Sequence, residues 1–131
     1  MVNVDGGARG NPGPAAIAAV VTTPEGAILE ERSETIGPAT NNVAEYRALL
    51  LGIDRARALG AGEVELVCDS ELIVRQVRGE YRVKDAALRD LHARVGEALE
   101  GFERWSVRQV PREENARADR LVNDALDSGA A

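Results

Sequence analysis

The sequence predicts an α/β domain built on a five-stranded mixed sheet flanked by helices, with elements in the order βββαβααβα. Three observations carry that expectation. The first 36 residues hold three apolar or alternating runs separated by turn residues. Helical and strand-like segments alternate from residue 40 onward. The chain of 131 residues, 44% hydrophobic and 29% charged, has ordinary globular composition and one domain's length, 1–131. An antiparallel start followed by helical crossovers to parallel strands accounts for a mixed sheet, with right-handed crossovers expected.

The first apolar run, Met1-Val-Asn-Val4, is expected to end as a strand at Asp5. The stretch DGGARGNPGP (5–14) then sets four glycines and two prolines before Ala15–Thr23, a continuous apolar run of buried-strand length. Pro24-Glu-Gly26 supplies a turn, and Ala27–Ile36 alternates as the antiparallel partner. Its acids Glu30, Glu31 and Glu34 suit an edge strand, where charge discourages stray pairing.

Thr40-Asn-Asn42 offers capping residues for a helix over Val43–Leu59, stopped by Gly60 and Gly62. Glu63–Cys68 alternates as a strand. Ser70 caps a short helix to about Arg78, Asp85–Leu99 forms a longer one, and Arg104–Val110 returns to strand alternation. After Pro111 a last helix is expected over Asn115–Leu126. Trp105 is expected in the core, and His92, between charged neighbours, in solvent.

A lone cysteine, Cys68, excludes an internal disulfide, and the N-terminus lacks the basic-then-apolar pattern of a secretory signal. No apolar run approaches the ~20 residues that span a bilayer. A cytoplasmic chain without a membrane partner is therefore expected. The net charge of −6 weighs against a generic nucleic-acid binder, although residues 75–94 carry six basic against three acidic groups.

Four acids fall on faces that should be apolar. Glu45 shares a helical stripe with Leu49, Gly52, Ile53 and Ala56, and Gly52 there would allow close approach to the sheet. Asp119 lines up with Val122 and Leu126 near the start of the last helix. Asp69 follows the Glu63–Cys68 strand, and Asp5 follows the first. Each alone could be a cap, a loop residue or a dipole partner. Together they suit the crevice beyond the carboxyl ends of neighbouring parallel strands. Four close carboxylates would repel and force protonation unless hard divalent cations sat among them. Oxygen-only donors favour Mg2+ or Mn2+ over zinc. Two such ions would bring the net charge to about −2. Neither Cys68 nor His92 can build a zinc site alone, and no nucleophile elbow, P-loop or GxGxxG pattern is present.

The stretches DGGARGNPGPAA (5–16), TNNVAEYRALLLGI (40–53), VCDSELIVRQVRGEY (67–81) and VPREENARADRLVNDAL (110–126) make the chain resemble type 1 ribonuclease H, the bacterial and archaeal ribonuclease HI class. The resemblance spans nearly the whole length and implies a ribonuclease H-like fold. It also implies metal-dependent endonucleolytic hydrolysis of the RNA strand of RNA/DNA hybrids, leaving 5′-phosphate and 3′-hydroxyl ends. Asp5, Glu45, Asp69 and Asp119 match the family's metal-binding, catalytic carboxylates, which would hold two Mg2+ ions, with Mn2+ an alternative. In this matching Asp5 bridges the ions roughly 3.5–4 Å apart. Asp119 completes the site that activates water, while Glu45 and Asp69 serve the leaving oxygen.

Gly6, Gly7, Asn11, Thr40, Asn41 and Asn42 match substrate-binding positions. The glycines would admit the RNA strand, the asparagines would face the minor groove, and Thr40 with Asn41 would grip a DNA-strand phosphate. Three departures accompany the match. The loop before the last helix reads Pro111-Arg-Glu-Glu-Asn115 without the histidine many members carry, leaving Arg112 or Glu113 to substitute. The basic protrusion after Gly79 is shortened, with Tyr81, Arg78, Arg82 and Lys84 as a reduced version, and Glu71 replaces a common glutamine. A monomer acting on hybrid is expected, with double-stranded RNA as an alternative substrate. The rival readings are a junction resolvase or double-stranded RNA nuclease of the same architecture, and a non-catalytic binding module.

Overall fold

A computed structural model describes residues 1–129; the last two residues of the expected 1–131 domain lie outside the described residues. In chain order the elements are β1 (Val2–Ala8), β2 (Gly13–Thr22), β3 (Ile28–Ala39), α1 (Asn41–Ala58), β4 (Glu63–Cys68), α2 (Glu71–Val77), α3 (Ala86–Leu99), β5 (Arg104–Gln109) and α4 (Ala116–Gly129). A 3-10 turn over Arg112–Asn115 leads into α4. The sheet order is β3-β2-β1-β4-β5. Pairs β1/β2 and β2/β3 are antiparallel, and β1/β4 and β4/β5 are parallel, so the predicted mixed sheet is the observed one.

The continuous apolar run of β2 reflects burial on both faces. Ala15, Ile17, Ala19 and Val21 join the main core with α1 and α3, while Ala16 and Ala18 meet Val122 and Leu126 of α4. Gly52 of α1 sits against β1 as expected: a Cβ there would fall 2.7 Å from Val4 Cγ1 and 2.8 Å from Val2 Cγ1. Among the described residues, no helix is long and apolar enough to cross a membrane.

Several expectations need correction. Strand β1 does not stop at Asp5 but continues through Gly6 and Gly7, held by pairing with Ile17 and Ala16 of β2. Asp5 is therefore a mid-strand residue paired with Ala18. The parallel ladder with β4 covers only Val2↔Leu66 and Asn3↔Val67, so Asp5 lies where β1 and β4 diverge. Glycine's weak strand preference concealed this. Helix α1 begins at Asn41, its N-cap Thr40 accepting the Val43 N–H at 3.2 Å. Glu45 thus falls beyond the first turn, where the helix dipole offers it little.

The acids of β3 do more than keep an edge clear. Glu30 accepts two hydrogen bonds from Arg55 of α1, at 2.9 and 3.0 Å, and Glu31 accepts two from Arg117 of α4, at 2.5 and 2.8 Å. Successive strand residues point to opposite faces, so the two forks tie β3 to a helix on each side. Trp105 is 42% exposed and outside the core, on β5, which is an edge strand of the sheet. Arg78 Nε, just after α2, donates to the Val107 carbonyl of the same strand. His92 is half-buried rather than solvated. Its Nε2 lies 2.9 Å from the Gln76 carbonyl, and its ring stands edge-on to Tyr46, whose hydroxyl donates to Gln76 Oε1 at 2.6 Å.

Candidate active site

Three backbone arrangements bring the acids together. The β1/β4 divergence opens a notch between Asp5 and Asp69, the residue that follows β4. Ser70 caps α2 by accepting the Ile73 N–H at 3.4 Å, which fixes the turn carrying Asp69. Helix α1 enters the notch from one side with its main chain pressed on Gly6, where a Cβ would lie 2.7 Å from the Glu45 nitrogen and nearer still to the Ala44 carbonyl. The glycine is thus required by the helix that delivers Glu45. Gly7, by contrast, lies on the cavity wall, where a Cβ would make an ordinary contact with Val122 Cγ1 at 3.9 Å.

Asp5 is 6% exposed and Glu45 7% exposed, both buried in a mostly apolar interior. Asp5, Glu45 and Asp69 each offer a carboxylate oxygen within 4.8 Å of the others. Asp119, in the first turn of α4, lies outside that tight trio but lines the same cavity of about 470 Å3. The Gly6 N–H donates to Glu45 Oε1 at 3.4 Å, while Glu45 Oε2 and Asp69 Oδ2 are buried without a hydrogen-bond partner among the described residues.

The electrostatics follow from this crowding. Burial, then the charges of Asp69 and Asp119, push Asp5 up to about 7. Burial, then the charges of Asp5 and Asp69, hold Glu45 well above the ordinary carboxylate range. Burial raises Asp69 as well, with the Arg112 guanidinium opposing the rise. Two orphaned buried oxygens in an all-oxygen donor set fit a hard divalent cation, which favours the ionised forms that burial disfavours. The adjacent Cys68 thiol is pushed by burial to about 12 and offers no thiolate at neutral pH.

The remaining predicted residues divide by position. Asn41 Oδ1 accepts the Ala8 N–H at 2.9 Å, and Asn11 Oδ1 accepts the Asn41 N–H at 3.0 Å. These bonds stitch the glycine-rich connection to the start of α1. Both carboxamide NH2 groups lack a protein acceptor among the described residues. Asn42 lines the acid cavity and also a neighbouring depression formed with Asn11 and Thr40. Arg112 reaches the cavity, its Nε 3.9 Å from Asp69 Oδ2, whereas Glu113 is exposed and does not line it.

Asn115, expected only as the first residue of the last helix, is a buried anchor of the site. Asn115 is 1% exposed, donates from Nδ2 to the Val4 carbonyl at 2.8 Å and accepts from Asn3 Nδ2 at 3.0 Å. It bolts the foot of α4, and so Asp119, to the strand that carries Asp5. Its only signal in the sequence is an amide after three charged residues, four positions before Asp119.

A family model described as "Reverse transcriptase-like" matches residues 3–125. Ribonuclease HI of Halobacterium salinarum is 46% identical over 123 residues, covering 94% of this chain and 62% of that protein. A bifunctional protein of Mycobacterium tuberculosis is 46% identical over 131 residues, covering 99% of this chain and 36% of that protein. The chain thus spans less than two thirds of these relatives' lengths. The structure of LC11-RNase H1 in complex with an RNA/DNA hybrid superposes with a TM-score of 0.95 at 44% identity, covering 99% of this chain and 98% of that one. By fold, by length of match and by identity, the chain belongs to the type 1 ribonuclease H family.

Proposed function

We propose that this chain is a metal-dependent endonuclease that hydrolyses the RNA strand of RNA/DNA hybrids, leaving 5′-phosphate and 3′-hydroxyl ends. The observation that carries the reading is the convergence of Asp5, Glu45 and Asp69 within 4.8 Å, with two of their oxygens buried and without a hydrogen-bond partner among the described residues. A relative of nearly the same length bound to a hybrid supports the substrate class. Such a charged cluster serves a phosphodiester only if cations neutralise it, since bare carboxylates repel a nucleotide backbone.

Bound Mg2+ or Mn2+, two ions in this proposal, would supply neutralisation of the phosphate charge and a water of lowered pKa. Asp5, central in the notch, would contribute to both positions, Glu45 and Asp69 to one and Asp119 to the other. The main chain at Gly7 and Ala8, with Asn41 and Asn42, forms a wall against which the RNA strand and its 2′-hydroxyls would lie. Asn11 and Thr40 would extend that contact toward the DNA strand. Arg112 stands where the family's histidine is missing. Its guanidinium, beside Asp69, would steady phosphate charge. The chain's contribution is placement and a preorganised field.

The test is product analysis. Hybrid, duplex RNA and duplex DNA, each labelled on one strand, are incubated with the protein and Mg2+. Internal cuts confined to the RNA of the hybrid, with products that a 5′-phosphate-dependent exonuclease degrades, are expected. Binding of hybrid without cutting would favour a non-catalytic module. Cutting of DNA alone would favour a resolvase-like enzyme.

A further inference from the structure

We propose that Arg9 is a substrate-binding residue, a cation displayed at the mouth of the acid cavity to hold a phosphate of the RNA strand, with Asp127 as its stand-in partner in the free protein. This rests on the function proposed above and deepens it. Arg9 lines the cavity that holds the acids, and it lies between Gly7 and Asn11 in the sequence. Its main chain is pinned, the Arg9 N–H donating to the Pro14 carbonyl at 2.8 Å, so the side chain is offered from a fixed point. Arg9 and Arg112 are the two cationic residues of that cavity, and Arg112 is already beside Asp69.

The way Arg9 spends its donors separates it from the structural arginines. Arg55 and Arg117 each commit Nε and Nη2 to one carboxylate, closing the fork. Arg9 uses Nη2 alone, 2.7 Å from Asp127 Oδ1 and 3.4 Å from the Asn123 carbonyl. A guanidinium has five N–H donors in a planar fork suited to phosphate. Nε and Nη1, with three of them, make no hydrogen bond among the described residues. Asp127 and Arg9 are both well exposed, so their pair is screened and contributes little to holding the fold. An arginine half-occupied by an exposed carboxylate, on the wall of a cavity for a polyanion, is placed to exchange that carboxylate for a phosphate.

The test compares the parent with Arg9→Ala, Arg9→Lys and Asp127→Asn on a labelled hybrid with Mg2+ at several salt concentrations. Arg9→Ala should raise KM roughly tenfold, about 1.4 kcal/mol, with kcat within about twofold. It should also make the negative slope of log(1/KM) against log salt shallower by about one. Arg9→Lys should restore the slope and part of the KM, since a lysine keeps the charge without the fork. Asp127→Asn should leave KM no higher than the parent's. If Arg9→Ala matches the parent in KM and slope, the assignment is overturned. It is equally overturned if Asp127→Asn raises KM as much as Arg9→Ala, the mark of a merely structural pin. A parent that fails to cut hybrid defeats the proposed function itself; a cutting parent indistinguishable from Arg9→Ala defeats only this inference.

Discussion

Gly6 of β1 and Ala44 of α1 touch main chain to main chain, leaving no room for a side chain at position 6. That contact brings α1 close enough for Glu45 to reach Asp5. Gly6→Ala should therefore push the helix away, costing about 1–3 kcal/mol of stability as overpacking does. Activity should fall further than stability alone explains, because Glu45 moves with its helix. Urea unfolding and hybrid cleavage on the same preparation check both. Gly7→Ala, whose Cβ would only touch Val122 Cγ1 at 3.9 Å, should leave stability nearly unchanged.

Asp5→Asn should abolish turnover while leaving the fold intact or strengthening it. The substitution removes a charge from a buried site where burial and two other acids oppose ionisation. A thermal melt in chelator should place the variant at or above the parent at pH 8. A variant that melts well below the parent would show Asp5 to be held by the fold for another reason.

Without metal, stability should depend on pH in a defined direction. Asp5 ionises near 3.8 in an ordinary setting and at about 7 in this site, so the folded state prefers the protonated form. Its contribution is fully present below about pH 4 and is lost as the pH rises through 7. The ceiling is about 4 kcal/mol, shared with Glu45 and Asp69. Urea midpoints in chelator should fall between pH 5 and pH 8. Added Mg2+ should restore them at pH 8 and do little at pH 5. Asp5→Asn should flatten the trend.

Asn115→Ala should cost about 2 kcal/mol, the scale of leaving a buried polar group without its partner. The Val4 carbonyl and Asn3 Nδ2 would both lose their bonds. Denaturant unfolding measures the cost. A kcat that drops more than KM rises would show that Asn115 also sets the distance between Asp119 and Asp5.

Much of this architecture was legible because burial leaves a pattern in the chain. The all-apolar β2 and the Glu45-Leu49-Gly52-Ile53 stripe are what two-sided and one-sided burial require, and both appear in the structure. Glu45 and Asp119 stood out because they break the apolar stripes of their helices, and Asp5 and Asp69 because each follows a strand-like run. What escaped notice depended on partners distant in sequence. Gly6 and Gly7 looked like loop because their extended shape is imposed by β2 and α1. Glu30 and Glu31 looked like solvated charge because their arginines arrive 25 and 86 residues later. Trp105 looked like core because alternation does not say which strand lies at the edge of the sheet. Asn115 and the Tyr46–Gln76–His92 contacts are buried polar networks, which hydropathy alone does not reveal.

The central claim is that carboxylates from β1, α1 and the end of β4 form one cation-dependent site acting on a nucleotide backbone. The most direct measurement is cleavage of an RNA-labelled RNA/DNA hybrid by the parent in Mg2+, by the parent in chelator, and by Asp69→Asn in Mg2+. Internal RNA cuts in the first reaction alone are the predicted result. Cuts that persist in chelator, or an Asp69→Asn variant that keeps the parent's rate, would contradict it.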